Sequence, residues 1–144
     1  MRTCNDLMTK DPSCCLAADP IHLAAKLMKE EDVGSVPVID SDSNNLIGIL
    51  TDRDIVVKIV ADGNECATAR VEDVMTRNPL TCRPEDDIQD ALDRMSEHQI
   101  RRIPVVDVRG RIVGIISQAD LALRMEQPKK VEKVLEHISQ PISV

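Results

Sequence analysis

The sequence contains one unit twice, and this repetition constrains the fold more than any other feature of the chain. Residues 6–12 (DLMTKDP) read almost the same as residues 73–79 (DVMTRNP), an offset of 67 positions. The offset holds without a gap over residues 6–40, and 13 of those 35 pairs are identical. Chance would give roughly two identities for ordinary composition. The chain is therefore a duplicated unit of about 60 residues.

The repeat sets the expected domain organisation and fold class. The first repeat spans 1–66 and the second spans 67–126, which leaves a tail at 127–144. Each repeat has an extended lead-in, a helical pattern, two β-branched runs and a second helical pattern, which predicts an α+β fold of two β-α-β-β-α repeats. Asp19 and Asp86 are the predicted N-caps of the first helix in each repeat. Helices are predicted at 20–31, 52–62, 86–98 and 118–126, and strands at 35–39, 46–50, 103–106 and 112–116.

The tail carries an amphipathic helical pattern. Within residues 129–140, the apolar residues Val131, Val134, Leu135 and Ile138 fall on one stripe. Such a stripe either packs against its own domain or forms a dimer contact, and the sequence leaves both interpretations open.

Two prolines lie inside predicted strands. Pro37 and Pro104 cannot donate a hydrogen bond to a β-ladder. We therefore expect each of them at a sheet margin that has no partner strand on that side. An open margin of this kind could accept a ligand.

Two tetrads of similar chemistry connect a predicted strand to a predicted helix. They are Thr51-Asp52-Arg53-Asp54 and Ser117-Gln118-Ala119-Asp120. One interpretation is a capping box, in which hydroxyl and carboxylate satisfy backbone amides of the helix itself. The other is a ligand site, because the same geometry offers a hydroxyl and helix-start amides to a phosphate and an aspartate to ribose hydroxyls. Gly48 and Gly114, three residues before each hydroxyl, are expected to let a ligand approach the backbone.

Three motifs in each repeat together resemble those of the CBS domain, here in tandem. They are Asp-Val/Leu-Met-Thr-x-x-Pro, Val/Ile-Pro-Val-Ile/Val-Asp and Gly-Ile-x-Thr/Ser-x-x-Asp, and the resemblance covers residues 6–124. It implies two repeats packed around a pseudo-twofold axis, with two clefts that hold AMP, ADP, ATP or S-adenosylmethionine. By resemblance, Asp54 and Asp120 would bind ribose, and Thr51 and Ser117 would lie near phosphate. The adenine would contact main-chain groups of Val36, Pro37, Val38, Ile103, Pro104 and Val105. Thr81 would lie near the nucleoside.

Charge distinguishes the two repeats. Three residues of the second repeat, His98, Arg101 and Arg102, align with Glu31, Gly34 and Ser35 of the first, and Arg53 aligns with Ala119. Cations bind phosphate through charge-assisted hydrogen bonds, so we expect one strong site and one weak or vacant site. Because neighbouring strand residues point to opposite faces, Arg102, together with His98, is expected to face a cleft rather than Arg101. The alternative is that these are solvated surface charges.

Composition restricts the partners. The chain of 144 residues has a formal net charge of −7 and contains no Phe, Tyr or Trp. Its acidity argues against nucleic acid and membrane surfaces, which are bound through clustered Lys and Arg. Without aromatic rings, an adenine must be held by aliphatic groups, and base stacking with single strands is excluded. No run approaches the roughly 20 apolar residues that span a bilayer, and the N-terminus lacks the apolar core of a signal peptide, so a cytoplasmic location is expected.

The remaining features favour a regulatory protein over an enzyme. The sequence shows no nucleophile–base pair, carboxylate dyad or Walker-type loop, so we expect no catalytic residues and no required cofactor. We expect a homodimeric sensor of an adenosyl small molecule that acts on a separate, unidentified effector protein. One alternative is a metal- or redox-responsive module that uses Cys15, Cys82 and a histidine, although inert thiols and no metal site are the simpler expectation for the five cysteines. Another is an interaction scaffold that has lost its ligand.

Overall fold

The structure is a computed structural model, and it describes residues 2–117. In chain order its elements are α1 (Cys4–Leu7), β1 (Thr9–Lys10), β2 (Cys15–Leu16), α2 (Ile21–Glu31), β3 (Ser35–Ile39), β4 (Leu46–Thr51), α3 (Asp52–Ile55), a π-helical turn (Val56–Val60), α4 (Val71–Val74), β5 (Thr76–Arg77), α5 (Ile88–His98), β6 (Arg102–Val106) and β7 (Ile112–Ser117).

The described residues form two compact units. The repeat-1 unit contains residues 12–79 and 109–112, and the repeat-2 unit contains residues 2–11, 80–108 and 113–117. The first residues of each repeat therefore belong to the unit that is built mainly from the other repeat. The boundary between residues 66 and 67 stays a prediction about the sequence repeat.

The repeat-1 unit contains a sheet of four strands in the order β2-β3-β4-β5. β2 runs parallel to β3, with Cys15 opposite Val38. β3 and β4 form an antiparallel hairpin in which Pro37 lies opposite Ile49. β5, which comes from the lead-in of the second repeat, is antiparallel to β4 and places Thr76 opposite Ile49.

The repeat-2 unit contains a sheet of three strands in the order β1-β7-β6. β1, from the lead-in of the first repeat, is antiparallel to β7 and places Lys10 opposite Gly114. Cys82 forms an isolated parallel bridge with Val105 of β6. Its repeat equivalent Cys15 also pairs in parallel, as part of strand β2, with Val38 of β3. The two units thus share one arrangement, in which each sheet receives its last strand from the other repeat's lead-in.

The α+β class is confirmed, and the hydrophobic patterns predict most elements correctly. Predicted strand 35–39 is β3, and the other three predicted strands differ from β4, β6 and β7 by a single residue. The predicted helix at 52–62 is shorter and less regular, because α3 gives way to the π-helical turn, which ends at Val60. The helices predicted at 118–126 and 129–140 lie outside the described residues.

The predicted N-caps are wrong by one residue. Pro20 is the N-cap of α2, and Asp87 is the N-cap of α5, where its Oδ1 accepts from the Gln89 amide at 3.0 Å. Asp19 and Asp86 instead close the turns before the helices, because their carboxylates accept from backbone amides three residues earlier at 2.8 Å. An aspartate stabilises such a turn by the same kind of bond that it makes at a cap, so composition alone does not separate the two positions.

Each unit buries its own aliphatic core between the helices and one face of its sheet. The core of the repeat-1 unit contains Cys15, Ile21, Ala24, Met28, Val36, Val38, Leu50, Ile59, Val71, Val74 and Met75. The core of the repeat-2 unit contains Cys4, Leu7, Met8, Cys82, Ile88, Ala91, Leu92, Met95, Ile103, Val105 and Ile116. No helix within residues 2–117 is long and apolar enough to cross a membrane.

Candidate functional site

The first tetrad forms a capping box where β4 meets α3. The amide of Asp54 donates to Oγ1 of Thr51 at 3.1 Å, and the amide of Thr51 donates to Oδ2 of Asp54 at 3.0 Å. These bonds satisfy two backbone donors at a helix start. The capping box, one of the two interpretations of this tetrad, is therefore present in the structure. The Thr51 hydroxyl keeps its own proton to donate, and Oδ1 of Asp54 remains outside the box.

The second carboxylate oxygen of Asp54 faces an ammonium group. Oδ1 lies 3.4 Å from Nζ of Lys58, one helical turn later, and the Asp54 side chain is only 15% exposed. Nζ of Lys58 also donates to the carbonyl of Val74 at 2.9 Å. A ribose hydroxyl that binds Asp54 must therefore share or displace this ammonium group. Arg53, the cation inside the tetrad, is exposed.

The second tetrad is described only at its first residue. Ser117 ends β7 and is half-buried. Asp120, predicted to bind ribose, lies outside the described residues. Its role stays a prediction by repeat equivalence with Asp54.

Four apolar strand residues expected around the adenine have their side chains buried in the two cores: Val36, Val38, Ile103 and Val105. They can therefore offer only main-chain groups to a ligand. Because side chains alternate along a strand, Pro37 and Pro104 point to the opposite sheet face. Both prolines are themselves buried on that face.

The expectation of a strand-free margin at the two prolines is wrong. The amide of Cys82 donates to the carbonyl of Pro104 at 3.0 Å, and the amide of Val106 donates to the carbonyl of Cys82 at 2.9 Å. The lead-in therefore lies on that side of β6 as a parallel partner. Proline is tolerated because its nitrogen precedes the first bond of this ladder. In the repeat-1 unit, β2 likewise first pairs at Val38, one residue after Pro37.

The two glycines do not leave room for a ligand. A β-carbon on Gly48 would lie 2.7 Å from Sδ of Met75, and one on Gly114 would collide with Sδ of Met8. Both methionines belong to the Asp-x-Met-Thr lead-in motif, so the close approach predicted at the glycines is made by the protein itself. The prediction that these glycines admit a ligand is wrong. The sequence shows both motifs once in each repeat, and the structure adds that the methionine of one motif fills the space beside the glycine of the other.

The cationic candidates of the second repeat differ in exposure. Ile103 points into the core, so its neighbour Arg102 lies on the sheet face that also carries Pro104, and it is half-buried. Arg101 precedes the strand and is exposed, as is His98 at the end of α5. Thr81 is half-buried on the lead-in, and its carbonyl accepts from the guanidinium of Arg94.

Ser35 is a candidate site residue that sequence reasoning did not select. It is 6% exposed, and within residues 2–117 its Oγ has no hydrogen-bond partner. Ser35 begins β3 directly opposite Thr51 at the end of β4, so both hydroxyls lie at the same end of the hairpin. A buried hydroxyl without a partner costs free energy, so Ser35 is a candidate for contact with a ligand. The available signal was the alignment of Ser35 with Arg102.

The cysteines show no metal geometry in the part of the chain that the structure describes. There, no group of three or more His, Cys, Asp or Glu side chains is placed to hold a metal ion. Cys15 and Cys82 are each buried in the core of a different unit. Burial raises the pKa of Cys14 to about 11 and that of Cys15 to about 12, so both are protonated thiols at neutral pH.

Comparison with known proteins identifies the family. The family model of the CBS domain matches the chain twice, at residues 4–61 and 71–126. The chain belongs to the CBS domain family. It is a tandem CBS pair, and each match contains one pair of neighbouring strands, β3 and β4 in the first and β6 and β7 in the second.

Other CBS-pair proteins resemble this chain over most of their length. The hypoxic response protein 1 of Mycobacterium tuberculosis is 35% identical over 93% of this chain and 92% of its own length. Its crystal structure, which contains two coordinated zinc ions, matches 85% of this chain and 98% of that chain at 36% identity with a TM-score of 0.76.

Two further structures of CBS proteins contain adenosine derivatives. CBSX2 in complex with AMP is 26% identical, covers 97% of this CBS pair and 100% of its own chain, and has a TM-score of 0.73. The CBS domain pair of protein MJ0100, in complex with 5′-methylthioadenosine and S-adenosyl-L-methionine, is 29% identical, covers 85% and 94%, and has a TM-score of 0.76.

Proposed function

We propose that this CBS pair is a regulatory sensor that binds an adenosine-containing ligand, AMP, ADP, ATP or S-adenosylmethionine, and acts on a separate effector protein. The observation that carries the proposal is Ser35, a buried hydroxyl without a partner in residues 2–117, opposite Thr51 in the hairpin. The ligand class is supported by CBSX2 with AMP and by MJ0100 with S-adenosylmethionine.

The ligand contacts follow from the chemistry of the residues on each hairpin. Main-chain groups of Val36, Pro37 and Val38 would hold the adenine, because the valine side chains are committed to the core. Oδ1 of Asp54 would accept from ribose in competition with Lys58, and Thr51 would donate its free hydroxyl proton to phosphate or carboxylate. In the second repeat the corresponding groups are Ile103, Pro104, Val105, Ser117 and Asp120, with Thr81 on the lead-in.

The two sites would differ in their preference for charge. Arg102 occupies the position that Ser35 has in the first repeat. A guanidinium binds phosphate more strongly than a neutral hydroxyl does. The second repeat would therefore be the stronger site for a nucleotide, with His98 near it. The cations of the first site would be Arg53 and Lys58, and the ammonium group of Lys58 already faces Asp54.

A binding experiment tests this function. Purified protein is denatured by heat, and the supernatant is analysed for nucleotides by near-ultraviolet absorbance and mass spectrometry. The chain has no Tyr or Trp, so a bound nucleotide dominates that spectrum. Calorimetric titration with each ligand then counts the sites. Two unequal sites are expected; two identical sites would contradict the proposed asymmetry, and no binding of any of the four ligands would contradict the function.

We also propose that the protein is a homodimer. Val56, Val57 and Val60 of the π-helical turn are 57%, 45% and 63% exposed, and contact with a second copy would cover them. Light scattering of the wild type and of Val60→Asp tests this, since a charge in the contact is expected to give monomers. A monomeric wild type would contradict it. The cytoplasmic location stays a prediction.

A metal-responsive module is the second candidate, and the zinc ions in the structure of hypoxic response protein 1 are the observation that favours it. Elemental analysis of the purified protein separates the two functions. Stoichiometric zinc without nucleotide would favour this candidate, whereas nucleotide without zinc would favour the adenosine sensor. The ligand-free scaffold predicts neither.

A further inference from the structure

The core of the repeat-2 unit contains two thiols, those of Cys4 and Cys82. They belong to one buried cluster, where they are 0% and 3% exposed, and their interaction lowers the pKa of Cys4 and raises that of Cys82. They come from chain positions far apart in sequence, the start of α1 and the lead-in of the second repeat. The metal- and redox-responsive alternative considered from the sequence did not include Cys4.

Backbone hydrogen bonds fix the approach of the two segments. The Cys4 amide donates to the carbonyl of Asp86 at 2.9 Å, and the Asn5 amide donates to the carbonyl of Pro84 at 3.0 Å. On the other side, the Cys82 amide donates to the carbonyl of Pro104. Both cysteines are thus held by their own main chains in the same core.

The same position in the repeat-1 unit provides an internal control. In that unit Val71 is the equivalent of Cys4. The amide of Val71 donates to the carbonyl of Asp19 at 2.9 Å, just as the amide of Cys4 donates to the carbonyl of Asp86. Cys15 is the equivalent of Cys82, and both thiols lie 3.9 Å from the carbonyl of a strand proline. The repeat-1 unit therefore has the buried cysteine with a valine, not a thiol, at the position of Cys4; Cys66, which packs against the same core, is half-buried.

We propose that Cys4 and Cys82 form an intrachain disulfide when the protein meets a two-electron oxidant such as a peroxide or a diazene. The proposal does not depend on adenosine binding. With diamide, the Cys4 thiolate adds to one nitrogen of the N=N bond, and the other nitrogen takes a proton. The Cys82 thiolate then attacks the sulfur of Cys4, and the hydrazine leaves with the electron pair and a second proton. Two thiols are oxidised to one disulfide, and one diazene is reduced to one hydrazine.

The order of attack follows from the opposite pKa shifts of the two thiols. Interaction with Cys4, followed by burial, raises the pKa of Cys82 above that of an ordinary thiol. Interaction with Cys82 lowers the pKa of Cys4. Cys4 is therefore the first nucleophile. Because both sulfurs are buried, the oxidant reaches Cys4 when the four-residue helix α1 opens locally.

Peptide mapping tests the pairing. The full chain, with Cys14→Ser and Cys66→Ser to remove the two half-buried thiols, is incubated with diamide until the free-thiol count is constant. It is then alkylated and digested without reduction. The expected product is a cross-linked peptide that joins Cys4 to Cys82 and has lost two hydrogen atoms, while Cys15 is recovered as a free thiol.

Two variants make the result specific. Cys4→Val copies the repeat-1 unit and should abolish the cross-link, leaving Cys82 free. Val71→Cys copies the repeat-2 unit and should add a second cross-link to Cys15. Circular dichroism shows whether each variant is folded, and Cys82→Ala serves if Cys4→Val is not. The proposal would be overturned if Cys4 and Cys82 were recovered as free thiols. It would also be overturned if Cys82 were joined to Cys15 in a chain that lacks Val71→Cys.

Discussion

The Sδ atom of Met75 lies 2.7 Å from the place where a β-carbon on Gly48 would stand. Met75 comes from the lead-in of the second repeat, and Gly48 lies in β4 of the first. Met8 and Gly114 have the same relationship in the repeat-2 unit. Two motifs that look independent in the sequence are therefore the two halves of one packing contact, made twice.

Gly48→Ala is expected to lower the free energy of unfolding by about 1–3 kcal/mol, because an added methyl group overpacks a filled core. The Met75 side chain can move, but the carbonyl oxygen of Thr76 is only 2.9 Å from the added carbon and belongs to the backbone. Urea denaturation measures the effect.

The double variant Gly48→Ala/Met75→Ala is the control for this contact. If the methionine causes part of the strain, the two changes together cost less than the sum of the single changes. Additive effects would contradict a clash between the added methyl group and Met75. An unchanged stability of Gly48→Ala would show that the site can accommodate the methyl group.

Ser35→Ala separates ligand binding from stability. Removing a buried hydroxyl without a protein partner should leave the free energy of unfolding equal or higher, because no bond is lost and a desolvation cost disappears. If the hydroxyl serves a ligand, affinity for AMP or S-adenosylmethionine should fall about two- to tenfold in calorimetric titration. Ser41→Ala, at an exposed turn position, is the matched control. A marked loss of stability without a change in affinity would assign Ser35 a structural role.

Arg102→Ser tests the charge asymmetry, since it gives the second repeat the residue of the first. The loss of a charged donor is expected to weaken AMP binding about tenfold or more while changing adenosine binding little. Arg101→Ser is the control, because Arg101 is exposed and precedes the strand. Equal effects of the two substitutions would indicate a general electrostatic attraction and would contradict a specific contact of Arg102.

The buried thiol of Cys15 predicts a loss of stability in alkali. Burial raises its pKa in the folded protein to about 12 from an ordinary value of 9.0, so the folded state favours the protonated thiol. This contribution is fully present below pH 9.0 and is lost as the pH rises towards about 12, because the unfolded chain ionises first. Denaturation by urea at a series of pH values in this window measures the decline, and no tyrosine in the chain contributes to it.

Cys15→Ala is the control for the pH effect. The variant should show a shallower decline of the free energy of unfolding between these pH limits, whatever its stability at neutral pH. An identical slope in the wild type and the variant would mean that other groups, chiefly lysines, account for the whole alkaline effect.

Local patterns in the sequence predicted the elements well. The strand at 35–39 is β3 as predicted, and the helices at 20–31 and 86–98 match α2 and α5 within two residues. The period of the hydrophobic residues and the β-branched runs suffice to predict these elements, because both depend only on neighbouring residues. The N-caps failed because Asp19 and Asp86 serve a turn one residue earlier, a choice that depends on backbone geometry and not on residue type.

By itself, the sequence determined that the chain is a duplicated α+β unit of the CBS type, because identities at a constant offset and strand and helix periods are properties of the chain order. Only the tertiary structure decided that each repeat gives its lead-in strand to the other unit, that Gly48 and Gly114 receive methionine, and that Ser35 is buried without a partner. It also decided that Cys4 and Cys82 share one buried core. The physical reason is that burial and contact depend on which distant segments fill the same space, and a one-dimensional pattern does not specify those partners.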